Sequence, residues 1–256
     1  MVDIWQPATY CRFGHHRTRA AEDMLRRIVL DIPHSIIDLG CGTGNVTRLL
    51  AERWPQARVT GIDSSPSMLA EARATSTRIQ WIEADINAWT PEEPVDLIFS
   101  NAALHWLDDH MTLLPQLVNW LWHEGVLAIQ MPRNFDEPSH VAIVETIEDG
   151  RWQDRLAPLI RPTPVARPET YIDLLLPITS DLDVWETVYW HVFEGENPVV
   201  AWTGGASLRP LLAALDAREQ EAFVADYAAR VSRAYPQRPD GRTLYPFRRL
   251  FIVARR

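Results

Sequence analysis

The chain has 256 residues, carries a formal net charge of −9 at pH 7 and is 46% hydrophobic. This length fits one large domain or a core with a lid, and the apolar fraction is enough to bury a core, which excludes disordered and fibrous classes. All 25 basic residues are arginine, so chemistry that requires a Schiff-base lysine or a phosphate-loop lysine is excluded as well.

Further classes are excluded by what the sequence lacks. No apolar run approaches the roughly 18 residues of a membrane span, and Met1 to Tyr10 lacks the charged and apolar segments of a secretion signal. Cys11 and Cys41 cannot build a disulfide framework and have no metal-ligand spacing around them. A sequence pI near 5.4 argues against a nucleic-acid surface. We therefore expect a cytoplasmic protein that binds no metal, membrane or nucleic acid; its oligomeric state is not predicted.

The first half of the chain alternates short apolar runs with segments of helical period, which is typical of βαβ units and a parallel sheet. Thr18 to Leu30 predicts a helix that follows an irregular leader. The predicted strands are Ser35–Leu39, Arg58–Ile62, Ile79–Glu83, Val95–Ser100 and Val126–Met131.

Beyond Met131 the repeating pattern ends, and several prolines predict short helices. Asp183 to Phe193 alternates as a strand, and Leu250 to Ala254 predicts a terminal strand. In the first of these strands the residues expected to alternate are Val184, Val188 and Val192 on one face and Trp185, Tyr189 and Phe193 on the other. The fold class is therefore α/β: a doubly wound, Rossmann-like, seven-stranded, mostly parallel sheet with helical insertions that form a lid.

The same pattern divides the chain into six segments. They are an N-terminal lid segment with the first helix (1–33), a cofactor-binding core (34–133), a helical insertion (134–180), a core strand (181–194), a second helical insertion (195–242) and a terminal core strand (243–256). We expect the two insertions to form a cap over the substrate.

A glycine-rich loop, Asp38-Leu39-Gly40-Cys41-Gly42-Thr43-Gly44-Asn45, directly follows the first predicted strand. Glycines at this turn let the backbone approach a ligand at the carboxyl end of the sheet, where open α/β folds bind cofactors. A dinucleotide fingerprint counted from Gly40 needs glycine at its sixth position, where Asn45 stands, so a nicotinamide-dependent oxidoreductase is disfavoured. The spacing, with Asp38 two residues ahead, favours a nucleoside without phosphates such as S-adenosylmethionine.

Acidic residues follow the next two strands in register. Asp63 ends the second strand about 20 residues past the loop, where an acid can accept hydrogen bonds from both ribose hydroxyls. Asp85 follows the third strand and could accept from an adenine amino group, and Asn101 to Leu107 would complete the wall beside the reacting sulfonium. The predicted cofactor-binding residues are Asp38, Gly40, Cys41, Gly42, Gly44, Asn45, Asp63, Ser64, Met68, Asp85, Ile86 and Asn101.

These positions, together with Asp96 to Asn101, resemble the motif series of class I S-adenosylmethionine-dependent methyltransferases. Within that class, further segments resemble the trans-aconitate methyltransferase family over most of the chain. Those segments are Trp5 to Phe13, the pair Arg17 and Arg19, Asn101-Ala102-Ala103-Leu104-His105-Trp106-Leu107, Trp202 to Pro210, and Arg249 to Arg256. The stretch from about 134 to 180 is the least recognisable.

The resemblance implies methyl transfer from S-adenosylmethionine to one carboxylate of trans-aconitate, which gives the monomethyl ester and S-adenosylhomocysteine. A carboxylate is already ionised at pH 7, so we expect in-line transfer by positioning, without a catalytic acid or base, and with His105 and Trp106 near the methyl. Bidentate arginine pairing would hold the other carboxylates. The predicted substrate-binding residues are Tyr10, Arg17, Arg19, His105, Trp106, Arg133, Trp202 and Arg209. Arg248 and Arg249 are expected at a solvated strand end.

Two other functions remain open at this point. A methyltransferase that acts on a carrier-bound malonyl carboxylate would need an exposed arginine face for its large acidic partner, which scattered arginines on a chain of net charge −9 disfavour. A non-catalytic protein that senses S-adenosylmethionine would use the same glycine loop, and the sequence does not separate it from an enzyme.

Overall fold

The computed structural model describes residues 14–149, 151–161 and 164–256, with side chains from Thr18 onward. The strands are β1 (Ser35–Leu39), β2 (Arg58–Asp63), β3 (Gln80–Glu83), β4 (Val95–Asn101), β5 (Leu121–Pro132), β6 (Asp181–Glu194) and β7 (Arg242–Arg255). The helices are α1 (Gly14–Leu25), α2 (Asn45–Arg53), α3 (Pro66–Thr75), α4 (His110–Asn119), α5 (Pro138–Glu148), α6 (Gln153–Leu156), α7 (Pro168–Leu175), α8 (Pro198–Gly204), α9 (Arg209–Ala213) and α10 (Ala217–Ala234).

The strands form one sheet in the order β3-β2-β1-β4-β5-β7-β6. β1 to β5 are mutually parallel, and β7 is antiparallel to both of its neighbours, which confirms the predicted seven-stranded, mostly parallel sheet. No helix within the described ranges is long and apolar enough to cross a bilayer.

Residues of β1 are buried on both faces of the sheet, as expected for a central parallel strand. Ile36 belongs to an apolar cluster that includes Leu50 of α2, whereas Ile37 belongs to the opposite cluster, which includes Leu117 of α4. Because β1 to β5 are parallel, their carboxyl ends lie at one edge of the sheet.

The boundaries of the first helix and of β5 differ from the sequence-based expectation. The first helix ends at Leu25 rather than near residue 30, and Arg53 donates hydrogen bonds to the carbonyl oxygens of Leu25 at 2.8 Å and Ile28 at 3.0 Å. These bonds satisfy carbonyls that a longer helix would use internally. β5 begins at Leu121, which pairs with Val95, and its register is irregular before the central pairs begin.

β6 and β7 form a hairpin, and each of these two strands, with 14 residues, is longer than any other strand of the sheet. The predicted alternation in β6 is confirmed, since Val188 and Val192 are exposed whereas Tyr189 and Phe193 are buried. β7 begins at Arg242, well before the predicted Leu250. Polar and proline residues hide this extension in the sequence, and Pro246 is tolerated where β7 pairs with β6 alone.

The outer half of this hairpin carries a third apolar cluster, which lies apart from the two that cover the sheet. It joins residues of α5, α6, α8, α9 and α10 with Phe193, Tyr245 and Phe247 of the hairpin. The two helical insertions therefore pack on each other, and we call this body the cap.

Three tyrosine hydroxyls fasten the start of α5 within the cap. The Ser139 main chain donates to the Tyr235 hydroxyl at 3.3 Å and accepts from the Tyr227 hydroxyl at 3.0 Å, while its side-chain oxygen bonds to the Tyr245 hydroxyl at 3.0 Å. These contacts link α5 to α10 and to β7.

Candidate active site

A cavity of about 420 Å³ lies between the carboxyl edge of the sheet and the cap. Its wall on the sheet side includes Gly40, Gly42 and Asp63, and residues of the cap close the other side. Such a volume is in the range of sites that hold small molecules and cofactors. Of the predicted cofactor residues, those that line the cavity are Gly40, Gly42, Asp63, Ser64, Met68, Asp85 and Ile86.

In the glycine loop, Gly40 is needed for close packing, whereas the backbone at Gly42 is accessible from the cavity. Gly40 has φ 75°, and a Cβ added to it would lie 2.1 Å from the Cβ of Ala103. Gly42 has φ 56° and lines the cavity, and its added Cβ would meet nothing within 4 Å. The open backbone at Gly42 gives a ligand close access to the loop, which is the role predicted for it.

Asp63 is oriented by two main-chain donors. Its Oδ2 accepts from the Gly42 N–H at 2.8 Å and its Oδ1 from the Ser65 N–H at 2.9 Å. Asp85 also lines the cavity and accepts from the Asn87 N–H at 2.9 Å. Two carboxylates beside an open glycine backbone suit the hydroxyls and amino group of a nucleoside, so these residues fit the expected cofactor.

Other predicted cofactor residues lie outside the cavity lining. Asp38 is 2% exposed and accepts from the Thr47 hydroxyl at 2.6 Å; burial raises its pKa to about 7. Asn45 accepts from Arg48 at 2.6 Å. A Cβ added to Gly44 would lie 2.4 Å from the Trp81 ring, so packing accounts for this glycine. The remaining two are Cys41, whose pKa burial raises strongly, and Asn101, at the end of β4.

His105 lies in a 3₁₀ turn, Leu104–Trp106, at the cavity wall. Burial, followed by the charges of Arg249 and Arg161, lowers its pKa to about 3, so its imidazole is neutral at pH 7. Its Nδ1 is buried and makes no hydrogen bond to any residue that the structure describes. A neutral imidazole at a cavity wall can form a hydrogen bond with a polar ligand atom.

Arg249 corrects the expectation of a solvated strand end. It is 2% exposed, lines the cavity and donates from Nη1 to Gln130 Oε1 at 3.1 Å, with its guanidinium 4.6 Å from the centre of the Phe247 ring. The reason is the long β7 strand, in which Thr243, Tyr245, Phe247 and Arg249 all point inward. Tyr245 and Phe247 stand two positions apart, which is the spacing of one strand face. Pro246 and Arg248, which stand after each of them, obscure this pattern in the sequence.

Arg161 is a second arginine of the cavity and was not among the predicted substrate-binding residues. Its guanidinium donates to the carbonyl oxygens of His105 at 2.9 Å and Leu107 at 2.7 Å, and it forms an ion pair with Asp108 at 2.5 Å. The cap is thereby tied to the turn that carries His105. No local pattern marks this residue, because its partners lie more than fifty positions earlier in the chain.

The predicted substrate residues are only partly brought together. His105, Trp106 and Trp202 line the cavity. Tyr10 and the side chain of Arg17 lie outside the described residues. The predicted arginines with described side chains have other surroundings: Arg19 lies over the Tyr189 ring at 5.1 Å, Arg133 pairs with Glu186 at 3.2 Å, and Arg209 begins α9 without lining the cavity.

Asn134 and His140 are further polar residues of the cavity that the sequence did not predict. Asn134 follows β5 closely, is 1% exposed and lines the cavity. His140 bonds to the Ser207 hydroxyl at 3.0 Å, and burial lowers its pKa to about 4. The place of Asn134 after a parallel strand was a usable signal, since ligands bind at that edge.

Comparison with known proteins agrees with this fold. A methyltransferase domain family matches residues 36–125. The chain is 50% identical to the trans-aconitate 2-methyltransferase of Azoarcus sp. (strain BH72), over 99% of this chain and 99% of the relative. It is 46% identical to the protein of that name from Streptomyces avermitilis, over 99% and 97% of the two chains, and 43% identical to that of Shigella dysenteriae, over 98% of both.

Solved structures show the same fold at low sequence identity. Phosphoethanolamine N-methyltransferase 2 of Haemonchus contortus, in complex with S-adenosylhomocysteine, superimposes with a TM-score of 0.56 at 16% identity, over 92% of this chain and 52% of that one. Coclaurine N-methyltransferase, also with S-adenosylhomocysteine, gives 0.54 at 16% identity over 93% and 72%. The protein is an S-adenosylmethionine-dependent methyltransferase. Because the named relatives match it along nearly their whole length, the chain belongs to the trans-aconitate 2-methyltransferase family.

Proposed function

We propose that the protein transfers a methyl group from S-adenosylmethionine to one carboxylate of trans-aconitate, which gives the monomethyl ester and S-adenosylhomocysteine. The observation that carries this proposal is the charge distribution of the cavity. Asp63 and Asp85 lie at the glycine-loop side, whereas Arg161 and Arg249 lie on the cap and on β7. A cationic nucleoside suits the acidic side, and a polycarboxylate suits the basic side.

At the acidic side, Asp63 would hold the ribose hydroxyls, since its carboxylate is already oriented by the N–H groups of Gly42 and Ser65. Asp85 and Ile86 would contact the adenine, with Met68 and Ser64 beside them. When bound, S-adenosylmethionine supplies a methyl group that its sulfonium has already activated.

At the basic side, Arg249 would pair with a carboxylate that does not react, and Arg161, which keeps its ion pair with Asp108, would donate a further N–H to another. Arg249 is almost fully buried, and an ion pair formed there is poorly screened by water. His105 would donate a hydrogen bond from its neutral ring to the reacting carboxylate. A neutral donor orients this oxygen while withdrawing less charge from it than an arginine would.

No general base is needed, because the attacking carboxylate is ionised at neutral pH. The residues of the chain therefore act by orienting the acceptor and excluding water from a cavity that the cap covers. A pKa of about 3 also makes His105 too weak a base to take a proton at neutral pH.

Transfer of radiolabelled methyl from S-adenosylmethionine to a panel of di- and tricarboxylates, with carrier-bound malonate included, tests the proposal. We expect labelled ester from trans-aconitate and little from the carrier, because Arg249 is recessed and carriers need an exposed basic face. Label on the carrier alone would move the function to malonyl esterification. Cofactor binding without label on any acid would instead indicate a sensor.

A further inference from the structure

Gln130 is a buried polar residue in the middle of the sheet, next to the cavity arginine. It is 0% exposed and lies in β5, where it pairs with Asn101 of β4 and Phe251 of β7. Its Oε1 accepts from Arg249 Nη1 at 3.1 Å, and its Nε2 makes no hydrogen bond within the described residues. A buried amide with half of its hydrogen-bonding capacity unused destabilises a fold relative to an apolar residue, so packing alone does not explain it.

The chemical type of Gln130 matters because its neighbour is a buried cation. An amide oxygen fixes the direction of a guanidinium N–H without adding a negative charge. A carboxylate of the same shape would fix the same N–H and would also offset the positive charge of Arg249. Glutamine therefore orients Arg249 and leaves more of its attraction for an anion in the cavity.

We propose that Gln130 is a positioning residue that holds the Arg249 guanidinium at the cavity wall and keeps that wall selective for a substrate carboxylate. This inference rests on the proposed function, because it takes a carboxylate to be the group that Arg249 binds. It assigns a role to a residue that itself does not line the cavity.

Gln130→Glu is the sharpest test, since it changes the charge and keeps the shape. We expect affinity for trans-aconitate, measured by titration calorimetry with S-adenosylhomocysteine present, to fall at least 30-fold. Affinity for S-adenosylhomocysteine should stay within threefold and the Tm should not fall, because a buried arginine gains a charged partner. In kinetics, KM for trans-aconitate should rise more than kcat falls. Gln116→Glu, which adds the same charge on the exposed side of α4, is the control and should change neither affinity.

Two further variants keep the test decisive if Gln130→Glu folds poorly. Gln130→Met keeps the volume and loses the acceptor, so trans-aconitate affinity should fall about fivefold to tenfold. In an Arg249→Met background, Gln130→Glu should cause little further loss, because its effect acts through that arginine.

The outcomes separate this inference from the function on which it rests. Wild-type affinity for trans-aconitate in both Gln130 variants would overturn the role of Gln130 and leave the proposed function standing. Equal losses of both ligands with a lowered Tm would also overturn it, since that is the pattern of a structural residue. A wild-type protein that binds no tricarboxylate would overturn both.

Discussion

Arg161 donates a hydrogen bond to the carbonyl oxygen of His105 at 2.9 Å, so a side chain from the cap holds the main chain of the turn at the cavity. Arg161→Met removes this bond and two others. Since hydrogen bonds from a charged group contribute about 1.5–3 kcal/mol each, we expect kcat/KM for trans-aconitate to fall about 10- to 100-fold. Arg151→Met, at an exposed ion pair with Asp226, is the matched control and should retain activity. Equal activity in the two variants would contradict the role of Arg161.

Arg249 and Arg209 provide a direct comparison between the structure and the sequence-based prediction. Arg249→Met should raise KM for trans-aconitate at least 30-fold with little change in KM for S-adenosylmethionine, because it removes a buried cation from the cavity wall. Arg249→Lys should give an intermediate value, since lysine keeps the charge and loses the planar fork. In Arg209→Met, KM for trans-aconitate should stay within threefold of the wild-type value. If steady-state kinetics showed a larger rise in KM for Arg209→Met than for Arg249→Met, Arg209 would be the substrate-binding arginine, as the sequence predicted.

The open backbone at Gly42 gives a test of the cofactor loop. Gly42→Ala places a methyl group where no atom lies within 4 Å, at φ 56°, so the fold should persist with a strain of about 1–2 kcal/mol. We expect the methyl group to lower affinity for S-adenosylhomocysteine at least tenfold in calorimetry. Gly195→Ala suffers comparable strain at φ 94° in open space away from the cavity, and it should lower the Tm without changing cofactor affinity. Equal affinity of the two variants for S-adenosylhomocysteine would show that the cofactor does not lie against Gly42.

Buried histidines make the free energy of unfolding depend on pH. The pKa values of His105 and His140 are lowered to about 3 and about 4, mainly by burial, so below pH 6.5 the unfolded chain binds protons that the folded chain does not. Each histidine therefore removes about 1.4 kcal/mol of stability per unit as the pH falls toward 4. Asp38 acts in the opposite direction, since burial raises its pKa to about 7 and the folded chain keeps its proton there.

The net expectation is a loss of about 1–2 kcal/mol per pH unit between pH 6 and 4, measured by urea unfolding. His140→Gln should reduce this slope because it removes one of the histidines whose pKa burial lowers. His123→Gln is the control, since the His123 side chain is 89% exposed, and its slope should match that of the wild type. A wild-type slope in His140→Gln would show that burial of this ring does not shift its titration.

The sheet was predictable because its signals are local. The central parallel strands are marked by apolar residues, and the positions of Asp63 and Asp85 at the carboxyl ends of β2 and β3 follow from the parallel topology. The glycine loop was predictable for the same reason, and the close approach of the Trp81 ring is a second reason for glycine at position 44 that the sequence did not reveal.

The basic side of the cavity was not predictable because its signals are long-range. Arg133 was expected there, and Glu186 pairs with it from the edge strand β6. Arg161 reaches the cavity only because the cap folds back over the turn at His105. All basic residues are arginine, so residue type could not rank them, and only tertiary packing decides which of them face the ligand.

The tandem arginines of β7 show how strand parity controls the chemistry of this cavity. Arg248 and Arg249 are chemically identical, yet Arg249 alone of the two lines the cavity, whereas Arg248 pairs with Glu137 at 3.1 Å. Leu250 belongs to the sheet core. Inserting one residue between Arg249 and Leu250 would move every β7 side chain that precedes the insertion to the opposite face of the sheet. Phe247 and Tyr245 would then turn toward solvent together with Arg249. We therefore expect length changes in this strand to preserve the cavity only when they add or remove residues in pairs.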